Sequence, residues 1–597
     1  MPSKLSTLLF SGHDDVIEGV AVMRRTSWPY LLFTCFVLAS MGWCFFAIKQ
    51  TSLDHLDLLK SHLGEPWAIF APWSVGVDQA DVQWRDLVKN LPILGPALFL
   101  LSFIARGVRS RFANSAHLSS TLQLFYAVSG VMFVSYLHGA PVIFAIVLVL
   151  VNYFCIAPLS KWMPFKAFML VMWTAHVGIL FVNDHYKGYR FSLFSQHFRW
   201  MDEVLPQGAL RWSVVFNMCT LRMIAFNVDY YEAYNITNSA GGMETWRSTK
   251  IDKHLSSCTD CAALRQQNPS LAGDSQQACH CYKLRTETPR KLNEYNLRGY
   301  LAYMFYVPLY VAGPMSSYNA FISHTYQATR CMSLRQGVTY SIRIANLFFL
   351  LTFQLHFNFL NAIREEHAVF DNMGLNIKLG FFLFTLGFLW MKFNFLWKFF
   401  RLLAIVDGVE APEDMNRCFS NTLTIQSFWK DWHSSFNLWI VRYMYIPMGG
   451  SKNRLLSIFP IFIFIAVWHD IELRLLWWAL IMCVCFIPEV VVGMVISRPQ
   501  FKWLRAKPYY RYVRAAGGAV GMFVLITANL VGYGTGTRNV GKGLSEALSF
   551  ETIRFVIIAL MFLFLSAVIA VRDRDAKEAE KRRLKVVYNI KQEHRHD

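Results

Sequence analysis

FWKDWHSSFNLWIVRYMYIPMGGSKNR runs from Phe428 to Arg454; an apolar run follows, and AVWHD closes it at Asp470. Read as one short helical stretch, the first part gathers Trp429, Trp432, His433, Asn437, Trp439, Arg442, Tyr443 and Tyr445. Pro447, Gly449 and Gly450 end it, since proline and glycine cannot continue a helix at low cost. Leu455–Val467 is almost wholly apolar and leads to His469. An imidazole placed in hydrocarbon is costly, so an ionisable residue there is a functional hypothesis. His433 and His469 each follow a tryptophan. The expectation is that both face one reaction centre within a membrane.

Composition agrees with a membrane setting. The 597 residues are 54% hydrophobic and 16% charged, richer in apolar and poorer in charged residues than a soluble domain. Several windows approach the roughly 20 apolar residues a spanning helix needs. The expected class is all-α and polytopic, with roughly ten transmembrane helices plus re-entrant and interfacial pieces. The net charge of +19 is read as the positive-inside bias of membrane proteins. Its clusters, Arg106/Arg109/Arg111, Ser497–Arg514 and the tail after Val571, flank apolar spans, which argues against a nucleic-acid partner. The 12 cysteines are scattered with no disulfide framework. Met1–Arg25 is polar and mixed in charge, unlike a cleavable signal peptide, so the first span is expected to act as a signal anchor.

The spans expected are Pro29–Ile48, a short Leu91–Ala105 that is either tilted or re-entrant, Leu118–Tyr136, Val142–Leu159, Phe165–Val182, Ile342–Leu360, Leu379–Phe400, Leu475–Ile496, Ala515–Gly532 and Ile553–Ala570. Three regions result: residues 1–28, a membrane domain 29–571 with a polar insert 232–298, and a charged tail 572–597. The insert is rich in Ser, Gln, Asn and charge, so a loop or partial disorder is expected. Arg211–Tyr230 is apolar yet carries Arg222, two asparagines and Asp229; it either faces protein or a water-filled cavity, or lies at the interface as a helix. No internal repeat is visible, which argues against an inverted-repeat transporter.

A serine elbow, a P-loop and a dinucleotide fingerprint are absent, which leaves histidine for acid–base work near neutral pH. His176 and His356 lie within apolar spans and read as packing residues. His433 has Asn437 one turn on, with Ser434 and Arg442 as further donors; an aromatic interfacial anchor explains the same stretch equally well.

The pattern W-K-x-W-H through R-Y-x-Y-I-P-x-G-G, followed by W-H-D, resembles the membrane-bound O-acyltransferase (MBOAT) superfamily. DVQWRDLVKNLP, FNMCTLRMIAFNVDY, YVPLYVAGPMSSYNAF and KFNFLWKFFRLLAIVDGVEAPEDMNRC line up in the same order. Together they are similar to the branch that holds Hedgehog acyltransferase and the glycerol-uptake proteins. The resemblance implies an acyl-CoA-dependent O-acyltransferase of the endoplasmic reticulum membrane, with a long-chain acyl group passed to a lyso-glycerolipid, a lyso-GPI anchor foremost. A glycerol/proton symporter and a protein palmitoyltransferase of the Hedgehog type are the alternatives. It makes His469 the essential histidine and His433 the second catalytic position. Trp429 and Lys430 match positions that meet acyl-CoA, with Asn437 and Arg442 as further contacts. No cofactor is required for such chemistry. Cys418, in NRCFS, matches a haem-ligating cysteine of Hedgehog acyltransferase; a loop thiol or a palmitoylation site are the plain readings. Cys258, Cys261, Cys279 and Cys281 form C-x2-C-x17-C-H-C, close to a zinc knuckle, with palmitoylation or unmodified thiols as alternatives. Acyl chain length, oligomeric state and topology are open at this point.

Overall fold

The computed structural model describes residues 14–17, 20–267, 280–328, 332–507, 509–533, 549–588 and 590. Among them, 10 helices are long and apolar enough to cross a membrane, from Trp28–Asp54 to Phe550–Val587. Each of the ten expected spans falls within or across one of these helices. Among the described residues, strand is confined to two short antiparallel pairs, Asp14–Ile17 with Val20–Met23 and Leu63–Gly64 with Val77–Asp78. The protein is therefore an all-α, multi-pass membrane protein. Its helices carry exposed Leu38, Trp43, Phe46, Met132 and Val484 outward, as surfaces that meet acyl chains should.

Four details differ from the expectation. Leu91–Ala105 is the middle of a 30-residue helix, Val82–Arg111, that carries Pro92 and Pro96 inside it. Of the arginine cluster at its end, Arg109 turns inward: it donates to the Asp407 carbonyl at 2.9 Å, to the His324 carbonyl, and to the Tyr126 hydroxyl at 3.2 Å. Its charge therefore joins elements within the protein as well as marking a membrane face. The insert is largely helical where described: Gly242–Ser257, Thr259–Gln267 and Tyr282–Glu287. Finally, the boundary at 571/572 falls inside the Phe550–Val587 helix, which continues past the bilayer-length stretch and docks through Asp575 to Arg514 at 2.7 Å and Asp573 to Asn421 at 3.1 Å.

The Trp212–Thr237 helix settles the choice left open for Arg211–Tyr230. Every residue from Cys219 to Asp229 is buried, so this stretch faces protein, while Val214, Asn217 and Met218 near the start of the helix face a cavity. Its polar residues are matched internally, as burial requires. The Arg222 guanidinium donates to the carbonyls of Tyr303, Met304 and Leu309, and Asn227 pairs with Asn152 at 2.8 Å. Asp229 accepts from Arg442 at 2.9 Å, Tyr443 at 3.1 Å and the Asn319 amide at 3.1 Å. This helix is the spine against which the aromatic stretch packs.

Candidate active site

The stretch from Ile425 is two helices rather than one. Ile425–Asp431 is capped by Thr424 and ends at Trp432; Ser434–Ile440 starts anew and passes into a π turn at Val441–Tyr445. The break is His433, with φ +47° and ψ +53°. A left-handed conformation costs a non-glycine residue about 1–3 kcal/mol, so surrounding contacts must hold it.

Those contacts come from the loop after the Leu375–Asp407 helix. Gly408, at φ +94°, ends that helix in the left-handed turn that glycine favours. Lys398 and Arg401 then hold Glu413 at 2.7 and 3.4 Å, which places Asp414 under the new helix. Its carbonyl accepts the Ser434 amide at 2.8 Å, and its carboxylate accepts the Ser435 amide at 2.9 Å. The same carboxylate oxygen lies 3.1 Å from His433 Nδ1. Asp414 is fully buried. The His433 ring also lies against Trp397, 4.2 Å between centroids. With Nδ1 facing the carboxylate and one ring face covered, Nε2 is the nitrogen left to act.

His469 is placed by a second clamp. The Asn217 side chain donates to the Trp468 carbonyl at 2.7 Å, and the Trp468 indole N–H donates to the Asn217 carbonyl at 2.9 Å. Phe436 stacks on Trp468 at 4.7 Å, which ties the two histidine-bearing helices together. Ile458–His469 has only 12 residues, a length of about 18 Å at 1.5 Å per residue, so it cannot cross a hydrocarbon core of about 30 Å. Phe464 to Trp468 are buried, but His469 is exposed and opens onto a cavity. The helix thus delivers His469 to a chamber wall.

That chamber has a volume of about 470 Å³, within the usual range for ligand sites of roughly 300–1,000 Å³. His433 and His469 both line it, with Asn437, Trp429 and Asn217. Most of the remaining wall is apolar, including Val214, Met218, Leu396, Phe462 and Ile465. Gln426 and Arg454 also line it, joined at 3.0 Å. Gln426 is exposed, so this pair gives the chamber a polar, basic edge.

Two expected contacts lie elsewhere. Lys430 is exposed and is not part of the chamber wall, because the helix turns it away from the Trp429 side. Arg442 also lies outside the wall; it is held by Asp229 at 2.9 Å and Glu232 at 2.7 Å. It joins the aromatic stretch to the central helix. Removing one partner of a buried ion pair costs about 3–5 kcal/mol. Asp229→Ala should therefore lower the thermal midpoint of the detergent-solubilised protein sharply, and an unchanged midpoint would deny the pair a structural role. Asp414 and Asn217 were missed in sequence. Asp414 was one acid among several in a loop, and Asn217 one polar residue in an odd helix.

Cys418 offers a poor fit for haem. A haem thiolate needs an apolar slot beside it, whereas Cys418 Sγ lies 3.3 Å from the Ser420 hydroxyl in a turn closed by the Asn421 amide. Neighbouring Arg417 is paired with Asp431 at 3.3 Å, and Cys418 is outside the chamber wall. Cys279 lies outside the described residues. Cys258, Cys261 and Cys281 converge with His254, considered below.

Comparison with known proteins gives a consistent picture. A family profile described as MBOAT, membrane-bound O-acyltransferase family, matches residues 142–531. The chain is 30% identical over 513 residues to membrane-bound O-acyltransferase GUP1 of Candida tropicalis, covering 85% of this chain and 80% of that one. It is 30% identical over 522 residues to GUP1 of Saccharomyces cerevisiae, with 85% and 84% covered. A weaker likeness, 24% over 187 residues and 30% of this chain, relates it to the mouse protein-cysteine N-palmitoyltransferase HHAT.

Proposed function

The chain belongs to the membrane-bound O-acyltransferase family and is an acyltransferase; from that premise we propose that it moves a long-chain acyl group from acyl-CoA to a hydroxyl of a lyso-glycerolipid, a lyso-GPI anchor foremost, in the endoplasmic reticulum membrane. The observation that carries this reading is the single chamber lined by His433 and His469 between apolar walls and a basic edge. His469 takes the proton of the acceptor hydroxyl as its oxygen attacks the thioester carbonyl. The new C–O bond forms, the C–S bond breaks, and the proton passes to the departing CoA sulfur. His433, braced by Asp414, meets the negative charge that develops on the carbonyl oxygen. The apolar walls hold the acyl chain and exclude water, which limits hydrolysis of the thioester.

The mapping of acyl-CoA contacts shifts from Lys430 to Arg454. A guanidinium at the chamber's edge suits a phosphate of CoA. Loss of one charge-assisted contact is worth about 1.5–3 kcal/mol, or roughly 10–100-fold. Arg454→Ala should raise KM for acyl-CoA by that factor with kcat little changed, while Lys430→Ala changes KM less. A fall in kcat at constant KM would remove Arg454 from donor binding.

The direct test is purified protein with labelled acyl-CoA and separate acceptors: lyso-GPI, other lyso-glycerolipids, glycerol and an N-terminal cysteine peptide. Transfer to a lyso-lipid hydroxyl is expected. Transfer only to the peptide amine would favour the palmitoyltransferase alternative, and no transfer with any acceptor would overturn the assignment. The symporter alternative has no repeat in the sequence to support it.

A further inference from the structure

The geometry points to a structural zinc site in the insert, formed by His254, Cys258, Cys261 and Cys281 and separate from the reaction chamber. The four ligand atoms lie within 4.8 Å of one another. Cys258 Sγ and Cys281 Sγ are 3.8 Å apart, and His254 Nε2 is 3.2 Å from Cys281 Sγ. Tetrahedral zinc with Zn–S bonds of about 2.3 Å sets two sulfurs about 3.8 Å apart, whereas a disulfide would bring them to about 2.05 Å. The Cys281 amide also points at Cys261 Sγ, at 3.3 Å, a contact that stabilises a thiolate.

The ligand set is local in sequence, H-x3-C-x2-C-x19-C. His254 and Cys258 are one helical turn apart at the end of Gly242–Ser257, and Cys261 opens the next helix. Cys281 arrives from the start of Tyr282–Glu287. His254 therefore takes the place that sequence spacing suggested for Cys279.

Two further observations favour a metal over free or lipidated thiols. Cys261 and Cys281 are 0% and 5% exposed, out of reach of an acylating enzyme. The helices around them share only a small apolar cluster, Ile251, Leu255, Leu264 and Leu284 beside the cysteines. So small an apolar cluster contributes little to joining these short polar helices, and a metal staple would add to it. Three thiolates and one imidazole would leave the zinc centre with one net negative charge. Arg285, buried and held on the His280 carbonyl beside Cys281, places a positive charge near it.

The site is tied to the catalytic helix by a short relay. Next to Cys281, the Tyr282 hydroxyl reaches the Met315 carbonyl and Ser316 hydroxyl at 3.5 and 3.4 Å. The Met315 amide donates to Ser435 at 2.8 Å, two residues from His433.

The test is metal analysis of the full chain, purified in detergent through a tag without histidine and with no chelator. About one zinc per chain is expected. His254→Ala, Cys258→Ser and Cys261→Ser should each fall to background, while Cys279→Ser keeps the wild-type content. Cobalt exchanged into the wild type should show thiolate-to-cobalt charge transfer and tetrahedral visible bands, a readout that needs no variant to fold. His254→Cys, with four thiolates, should retain metal. Wild-type protein that holds no zinc and takes none up from added zinc chloride would overturn the site. So would zinc retained in His254→Ala but lost in Cys279→Ser.

Discussion

His469→Ala should reduce acyl transfer by roughly 10²–10⁴, the usual range for loss of a general base, in protein that inserts and elutes like the wild type. The structure gives two reasons to expect a specific loss of rate rather than collapse. His469 is the last residue of its helix and is exposed to the chamber, so truncation leaves no sealed core cavity. The clamp that sets the helix end acts on Trp468 and Asn217, and it survives the substitution. The measurement is single-turnover transfer from labelled acyl-CoA at matched detergent stability, with acyl-CoA binding determined in parallel. Unchanged binding with a collapsed rate is the expected pair of results. Wild-type turnover in a folded His469→Ala protein would require another base and would sink the mechanism.

The fold was legible because spanning helices obey a strong and local rule: length and hydropathy together. The ten long apolar helices follow from it. The site was legible in part. Two tryptophan–histidine pairs beside apolar runs were enough to suggest a shared centre, and the chamber joins them. The break at His433 was not legible. Its left-handed backbone is imposed by Asp414, 19 residues upstream, against a local pattern that reads as one amphipathic helix. The ion pair of Arg442 was not legible because its partner Asp229 lies 213 residues earlier. The insert looked unstructured because its composition is polar; the convergence of His254 with three cysteines depends on helices whose stability does not come from apolar periodicity. In each case the deciding contact is remote in sequence or chemical in nature, and neither leaves a periodic signal.

The division of work between the two histidines gives the second large expected effect. His469 must accept a proton, so His469→Asn should be as inactive as His469→Ala. His433 is held differently, with Nδ1 on a buried carboxylate and its ring on Trp397. In the proposed reaction its ring carries a proton on both nitrogens, Nδ1–H on the Asp414 carboxylate and Nε2–H toward the developing oxyanion, and an asparagine amide also offers an N–H. His433→Asn should therefore lose roughly 10²–10³ in rate, the cost of weakening one oxyanion donor, and retain measurable transfer. Asp414→Asn keeps an oxygen for the Ser435 amide but removes the charge that orients His433. Its effect should fall on kcat more than on KM, with a loss of similar size. Because both changes act on one interaction, the double variant should be little worse than either single one, whereas independent residues would multiply their losses. The experiment is the complete cycle, His433→Asn, Asp414→Asn and both, measured as kcat and KM with the preferred acceptor. Multiplicative losses would show that Asp414 acts only through the helix cap. Full activity in His433→Asn would leave His433 with a packing role, and its complete inactivity, equal to that of His469→Asn, would make both histidines obligatory proton carriers.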